Sequence, residues 1–181
     1  MKTNVTKTEG TGSTLGYATL NLDLVGPASV KVTVPDKDMG AVKAYASLTI
    51  KDTEIGDIVI SGMKVLEGEK GEFVSMPNRK GKDDKYYDIA FPTSAEGRKS
   101  ITDLVLEAYH NVNAQGKGEA SGNISGEVVV NGVKILTGAN GTFVSMPQRQ
   151  GNDGEYHDIV FPISAEGRKA IADAVMAAYN A

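Results

Sequence analysis

The side chains best suited to chemistry in this chain are cations, and they are clustered. Arg79, Lys80, Lys82 and Lys85 fall close together, with Asp83 and Asp84 between them. At an offset of 70 residues the same stretch offers Arg149, set among Gln148, Gln150 and Asn152. A second pair of cations, Arg98-Lys99, recurs unchanged as Arg168-Lys169. Guanidinium and ammonium groups hold phosphate oxygens, and a Gln or Asn amide reaches phosphates or base edges. The implied chemistry is polyanion binding. Its candidate residues are Arg79, Lys80, Lys82, Lys85, Arg98, Lys99, Arg149, Gln150, Arg168 and Lys169. The competing reading of the Arg79–Lys85 segment is a solvated turn. For Arg98 and Arg168 it is an ion pair to Asp88 or Asp158 that ties a helix to a sheet. Tyr86 and Tyr156 are candidate stacking rings, with one ring expected to point outward from Tyr86-Tyr87 and one from Tyr156-His157. Phe91 and Phe161 are expected in the core.

Catalysis finds little in the same residues. His110 and His157 occupy non-equivalent places, and no His-x-x-x-His, Asp-x-Asp or Ser–His–Asp grouping is present. The absence of cysteine excludes disulfides and thiolate chemistry. Gly10-Thr11-Gly12 and Gly116-Lys117-Gly118 lack the Gly-Lys-Ser/Thr ending of a phosphate loop. The expectation is a non-enzyme without cofactor or metal. The 181 residues carry a net charge of −4, which argues against coating nucleic acid by bulk electrostatics but leaves room for a local basic patch. Hydrophobic residues at 40% and charged residues at 23% are the balance of a globular chain. No apolar run approaches the ~18 residues of a membrane span, and Met1–Ser13 lacks an apolar signal core. A cytoplasmic location with no membrane partner is expected.

The elements that must position these residues come in two copies. Val59–Asn111 aligns without gaps on Val129–Ala181, with 30 of 53 positions identical. Each copy predicts a β-branched strand (Val59–Leu66, Val129–Leu136) and a short strand stopped by proline (Phe73–Met76, Phe143–Met146). A polar loop follows (Asn78–Lys85, Gln148–Glu155), then a strand ending in Phe-Pro (Tyr86–Phe91, Tyr156–Phe161). A terminal helix closes each copy. Thr93-Ser94-Ala95-Glu96 has the spacing of a capping box. The second copy has Ile163 in place of Thr93, so Ser164 is the expected cap there. Ile101, Leu104, Val105, Ala108 and Val112 form one apolar stripe, repeated with smaller side chains by Ile171, Ala174, Val175 and Ala178. Gly97 and Gly167 weaken the first helical turn and suit a close approach, by another chain segment or by nucleic-acid backbone.

Upstream the copies differ. Val30–Val34 and Ala44–Ile50 predict a hairpin before the first copy, whereas Asn113–Ser125, before the second, reads as linker. Tyr17–Leu22 resembles Tyr45–Ile50, with Val5–Thr8 as its expected partner strand. Unit A, residues 24–125, is therefore expected to be inserted in a turn of unit B, residues 1–23 and 126–181. The competing reading is an extra N-terminal hairpin serving unit A.

Ala-x-Ala-Ser-Leu-Thr at the hairpin end, Gly-x-Phe-Val-Ser-Met-Pro, a basic loop, Asp-Ile-x-Phe-Pro and a terminal helix together resemble the SpoVG family, the stage V sporulation protein G or septation regulators. The resemblance covers most of both units. It implies a small α+β domain that dimerises. It further implies a non-enzymatic bacterial regulator that binds DNA and RNA and influences septation and sporulation. Nucleic-acid contact in the family's loop maps onto Arg79 and Arg149. The family member is a single unit, so the fold expected here is α+β with two related units. Each is an antiparallel β-sheet with a C-terminal helix, and the two pack as a pseudo-dimer capable of further self-association. The basic loop is thinned in unit B: residues 69–99 carry seven basic and six acidic groups, residues 139–169 three and four. Binding led by unit A follows, with Arg79 and Lys80 mattering more than Arg149. The alternative is a protein-interaction module in division or regulation that does not touch nucleic acid.

Overall fold

The computed structural model describes residues 1–9 and 12–181. Gly10 and Thr11, and with them the Gly10-Thr11-Gly12 string, lie outside the described residues. The first strands are β1 (Lys2–Lys7), β2 (Thr14–Asp23), β3 (Gly26–Thr33), β4 (Val42–Thr53), β5 (Gly56–Gly68) and β6 (Gly71–Ser75). Three short strands follow, β7 (Asn78–Lys80), β8 (Tyr86–Asp88) and β9 (Ala90–Pro92), and then helix α1 (Ala95–His110). Strand β10 (Lys117–Ile124) leads to β11 (Glu127–Gly138), β12 (Gly141–Ser145), β13 (Gln148–Gln150), β14 (Tyr156–Asp158), β15 (Val160–Pro162) and helix α2 (Ala165–Asn180).

Two antiparallel sheets result. One runs β1-β2-β11-β12, and the other runs β10-β3-β4-β5, with β6 on the far edge of β5. The resemblance of Tyr17–Leu22 to Tyr45–Ile50 has a structural counterpart. Leu20 lies opposite Val130 in β2–β11, as Leu48 lies opposite Ile60 in β4–β5. Strict alternation drives the layering: Ala44, Ala46, Leu48 and Ile50 of β4 are buried, as are Ala18, Leu20 and Leu22 of β2. The segment expected to be a linker contains β10. Its small residues, Gly118 and Ala120, fit between β3 and α1, where composition alone suggested a loop.

The short strands before the helices cross over. β9, from unit A, pairs with β11 of the other sheet, Phe91 opposite Val129. β15, from unit B, pairs with β5, Phe161 opposite Val59. Each crossing is flanked by matched backbone bonds: Thr93 N–H to Glu127 C=O at 2.9 Å and Ile163 N–H to Asp57 C=O at 2.9 Å. After crossing, α1 buries Ile101, Leu104, Val105 and Ala108, and α2 buries Ile171 and Val175. Both sheets and both helices share one apolar cluster.

Ser94 caps α1 and Ser164 caps α2, each accepting from the N–H three residues on at 3.0 Å. Thr93 is not the cap of a capping box. Its hydroxyl and its N–H are both turned to the Glu127 carbonyl, where β9 hands the chain to the helix. The helix glycines answer to chain packing. A methyl group on Gly97 would meet the Ser125 carbonyl oxygen at 3.0 Å, and one on Gly167 would strike the Ile55 carbonyl oxygen. The α2 N-terminus thus abuts the β4–β5 turn of unit A, and the α1 N-terminus abuts the β10–β11 turn where the two units join.

Candidate nucleic-acid interface

The polar loop of each copy is a small β-ribbon. β7 pairs with β8, and β13 with β14. Proline ends the preceding strand in both copies, and the chain then reverses onto itself. The base of each ribbon is closed by Ile89 N–H to Pro77 C=O and Ile159 N–H to Pro147 C=O, both 2.7 Å, with both isoleucines buried. The tips are closed by Gly81 N–H to Lys85 C=O at 2.7 Å and Gly151 N–H to Glu155 C=O at 2.8 Å.

Pairing places cations opposite rings. Arg79 faces Tyr87 and Lys80 faces Tyr86 across the first ribbon. Arg149 faces His157 and Gln150 faces Tyr156 across the second. Tyr86 is 70% exposed, Tyr87 51% and Tyr156 66%. The expected single outward ring of the Tyr86-Tyr87 pair is therefore corrected: a two-stranded ribbon with no sheet against its faces leaves both sides in solvent. Phe91 and Phe161 are half-buried rather than fully in the core, because β9 and β15 lie along the seam between the units.

Each ribbon's arginine reaches the other unit. β5 and β11 bulge at Gly62 and Gly132, with φ of 83° and 80°, a region that glycine adopts without strain. The Arg79 guanidinium occupies the space a side chain at Gly132 would take. Arg149 lies near Gly62 less tightly: a methyl there would lie 3.9 Å from its Nη1, an ordinary contact. A small cleft beside Arg79 is lined by Lys134 and Tyr156. The matching cleft beside Arg149 is lined by Lys64 and Asn78. A wider open cleft continues from Lys64 and Arg149 to Gln150, His157 and Tyr45, and another from Tyr156 and His157 to Arg168 and Ser61. Arg79, Arg149, Gln150 and Arg168 thereby line neighbouring clefts that share Tyr156, His157, Lys64 and Arg149 as walls. Lys64 and Lys134 join them, each on a central strand; their equivalence in the repeat was the available signal, masked by their place in apolar strands.

The other candidates stand apart. Lys80 pairs with Asp84 at 3.1 Å, Lys99 with Asp103 and Lys169 with Asp173 at 2.5 Å, each along its own ribbon or helix. Among the described residues, Lys82, Lys85 and Arg98 make no ion pair within 4.0 Å. Arg168 donates to Asp158 at 3.2 Å and lies 5.6 Å from the Phe161 ring centre. Gln148 donates to the other oxygen of Asp158 at 2.7 Å. The expected pairing of Asp88 with Arg98 does not form. Asn78 stands where unit B has Gln148, and it bonds Ser75 and the Met76 carbonyl instead of the aspartate.

The aspartates at the tips have lowered pKa values. Asp83 accepts from the Tyr87 hydroxyl, then from Lys85 N–H, and both favour its charged form. Tyr87 is raised by the same bond. Asp153 is lowered first by Glu155 N–H, with His157 adding to it. Asp153, Glu155 and His157 each bring one possible metal-ligand atom within 4.8 Å of the others on the exposed tip. Unit A has Asp83, Lys85 and Tyr87 at those places, so this trio is particular to unit B. No helix among the described residues is long and apolar enough to cross a membrane.

The SpoVG family model matches residues 28–111 and again residues 112–181. The chain belongs to the SpoVG family. A septation protein SpoVG of Archaeoglobus fulgidus is 48% identical over 73 residues, which cover 40% of this chain and 81% of that protein. One of Symbiobacterium thermophilum is 35% identical over 116 residues, 64% of this chain and 79% of its own. A third, of Priestia megaterium, is 40% identical over 82 residues, 44% and 82% respectively. Each of these alignments covers most of the relative while spanning only part of this chain, and the family model matches the chain twice. Two SpoVG units are thus joined in one polypeptide.

Proposed function

We propose that this SpoVG chain is a non-enzymatic regulator that binds a DNA or RNA strand along the clefts between its two units, in septation or a related process. The observation that carries the reading is the reach of Arg79 and Arg149 across the seam, each beside a lysine of the opposite unit's central strand (Lys134, Lys64). Paired cations in one cleft suit phosphate oxygens. Exposed Tyr86, Tyr87 and Tyr156 offer faces for bases, a sequence-tolerant contact. The relatives' names support a place in septation.

Two arginines and two lysines in the clefts set the scale. If all four neutralise phosphates, affinity for a single strand falls with salt at a log–log slope of about −3. Titrating labelled single-stranded DNA, duplex DNA and RNA at low and moderate salt tests this. Arg79→Ala and Arg149→Ala are each expected to weaken binding and reduce the slope by about one. The uneven basic content of the two ribbons predicts that Arg79→Ala with Lys80→Ala loses more than Arg149→Ala alone. Absence of binding at low salt would instead favour a protein-interaction module, which the net charge of −4 also suits.

A further inference from the structure

The two units differ at one sheet edge. In unit A, β10 lies outside β3, with Gly118 opposite Val32 and Ala120 opposite Val30. Helix α1 covers it. The Leu104 side chain lies over Gly122, and the Ala108 carbonyl presses on Gly118 so closely that no side chain fits there. Leu104 and Ala108 are buried as a result. In unit B the described residues place no strand outside β1. The equivalent residues of α2, Ala174 and Ala178, are left half-exposed.

Register identifies the vacant edge. Thr3 faces Leu20 and Val5 faces Ala18, as Val30 faces Leu48 and Val32 faces Ala46. Thr3 and Val5 therefore correspond to the two residues that face Ala120 and Gly118 of β10. Thr8 N–H donates to Leu15 C=O at 3.0 Å. Alternation along an antiparallel strand then directs the groups of Asn4 and Thr6 to β2, and those of Thr3, Val5 and Lys7 outward. Unit A uses the matching outward position: Val34 N–H donates to Gly116 C=O at 2.8 Å.

We propose that β1 and the Ala174–Ala178 face of α2 form a docking site for an extended peptide of a partner protein, which adds to the sheet as β10 does in unit A. The peptide has Gly opposite Val5, because the α2 backbone there corresponds to the Ala108 carbonyl that excludes a side chain in unit A. It has a small residue opposite Thr3. Its ends are acidic, because Lys2 and Lys7 flank the edge and neither has a carboxylate within 4.0 Å among the described residues. A second copy's β1 does not meet this requirement, because Lys2–Lys7 contains no glycine to lie opposite Val5.

The test uses the full chain and a fluorescent peptide copying residues 113–125 with Lys117→Glu and Ser121→Glu, which sets a carboxylate toward Lys7 and another toward Lys2. Saturable binding is expected, with slowed hydrogen exchange at Thr3, Val5 and Lys7. Thr3→Pro removes an outward N–H and leaves the β1–β2 ladder intact, and it should weaken binding on the order of tenfold or more. Lys2→Glu with Lys7→Glu should weaken it independently, which decides the matter should the proline variant not fold. No saturable binding, protection at β3 instead of β1, or indifference to both variants overturns the proposal. Self-association lost in Thr3→Pro would assign the edge to a second copy and overturn it as well.

Discussion

At the scale of single residues, the two copies differ in whether the helix arginine is held. Gln148 and Arg168 both bond Asp158, so the cation is fixed to its own unit. Asn78 is one methylene shorter and turns to Ser75, leaving Asp88 without Arg98. Arg168→Ala should therefore lower stability slightly, within the ~0–1 kcal/mol of an exposed pair, and Arg98→Ala should leave it unchanged; urea titrations compare them. The tip aspartates set a pH dependence. Asp83 and Asp153 have folded pKa values below the ordinary 3.8. Their contribution is complete above that value and is lost as pH falls through the lower folded values. The ribbon tips should loosen in acid, read as lower protection of the Lys85 and Glu155 amides relative to their intrinsic exchange rates, and Asp83→Asn should remove that dependence at Lys85. These cations were legible as a group in the sequence. Their separation into cleft residues and self-paired ones was not, because Lys99–Asp103 and its like depend on rotamers and neighbours.

At the scale of elements, the helix starts carry the argument. A methyl at Gly167 would strike the Ile55 carbonyl and lie 2.9 Å from Pro162 Cβ, whereas one at Gly97 meets its nearest oxygen at 3.0 Å. Replacing glycine by alanine in a helix gains about 1 kcal/mol of propensity, against a packing cost of about 1–3 kcal/mol. Gly167→Ala should be destabilising and Gly97→Ala nearly neutral, measured by denaturant unfolding. The strands with strict alternation, β2, β4 and the long β5 and β11, were readable from composition and period. β10 was not: Gly, Ser and Asn read as loop until a helix and a strand edge are present to receive small side chains. The loop after Met-Pro hid a ribbon for a related reason, since three residues are too few to show a period.

At the scale of the molecule, exchange of β9 and β15 joins the two units through backbone hydrogen bonds and one apolar cluster. Neither sheet keeps all its strands without the other unit. A single cooperative unfolding transition is expected, with calorimetric and van't Hoff enthalpies equal; two resolved transitions would contradict it. The nested division, residues 24–125 within 1–23 and 126–181, is a proposal that this frame supports. Leu24 N–H bonds Gly126 C=O at 3.0 Å, closing the point where unit A departs from unit B.

The amino-acid order alone determined the duplication, the long alternating strands, both helices, the serine cap of the second helix and the pool of cations, because these follow from short periods and local chemistry. Only the tertiary structure decided which strands cross between units, which arginines lie over the bulged glycines and which edge is left open. Those depend on pairings between segments far apart in the chain, where two related copies offer two equivalent partners and local pattern cannot choose between them.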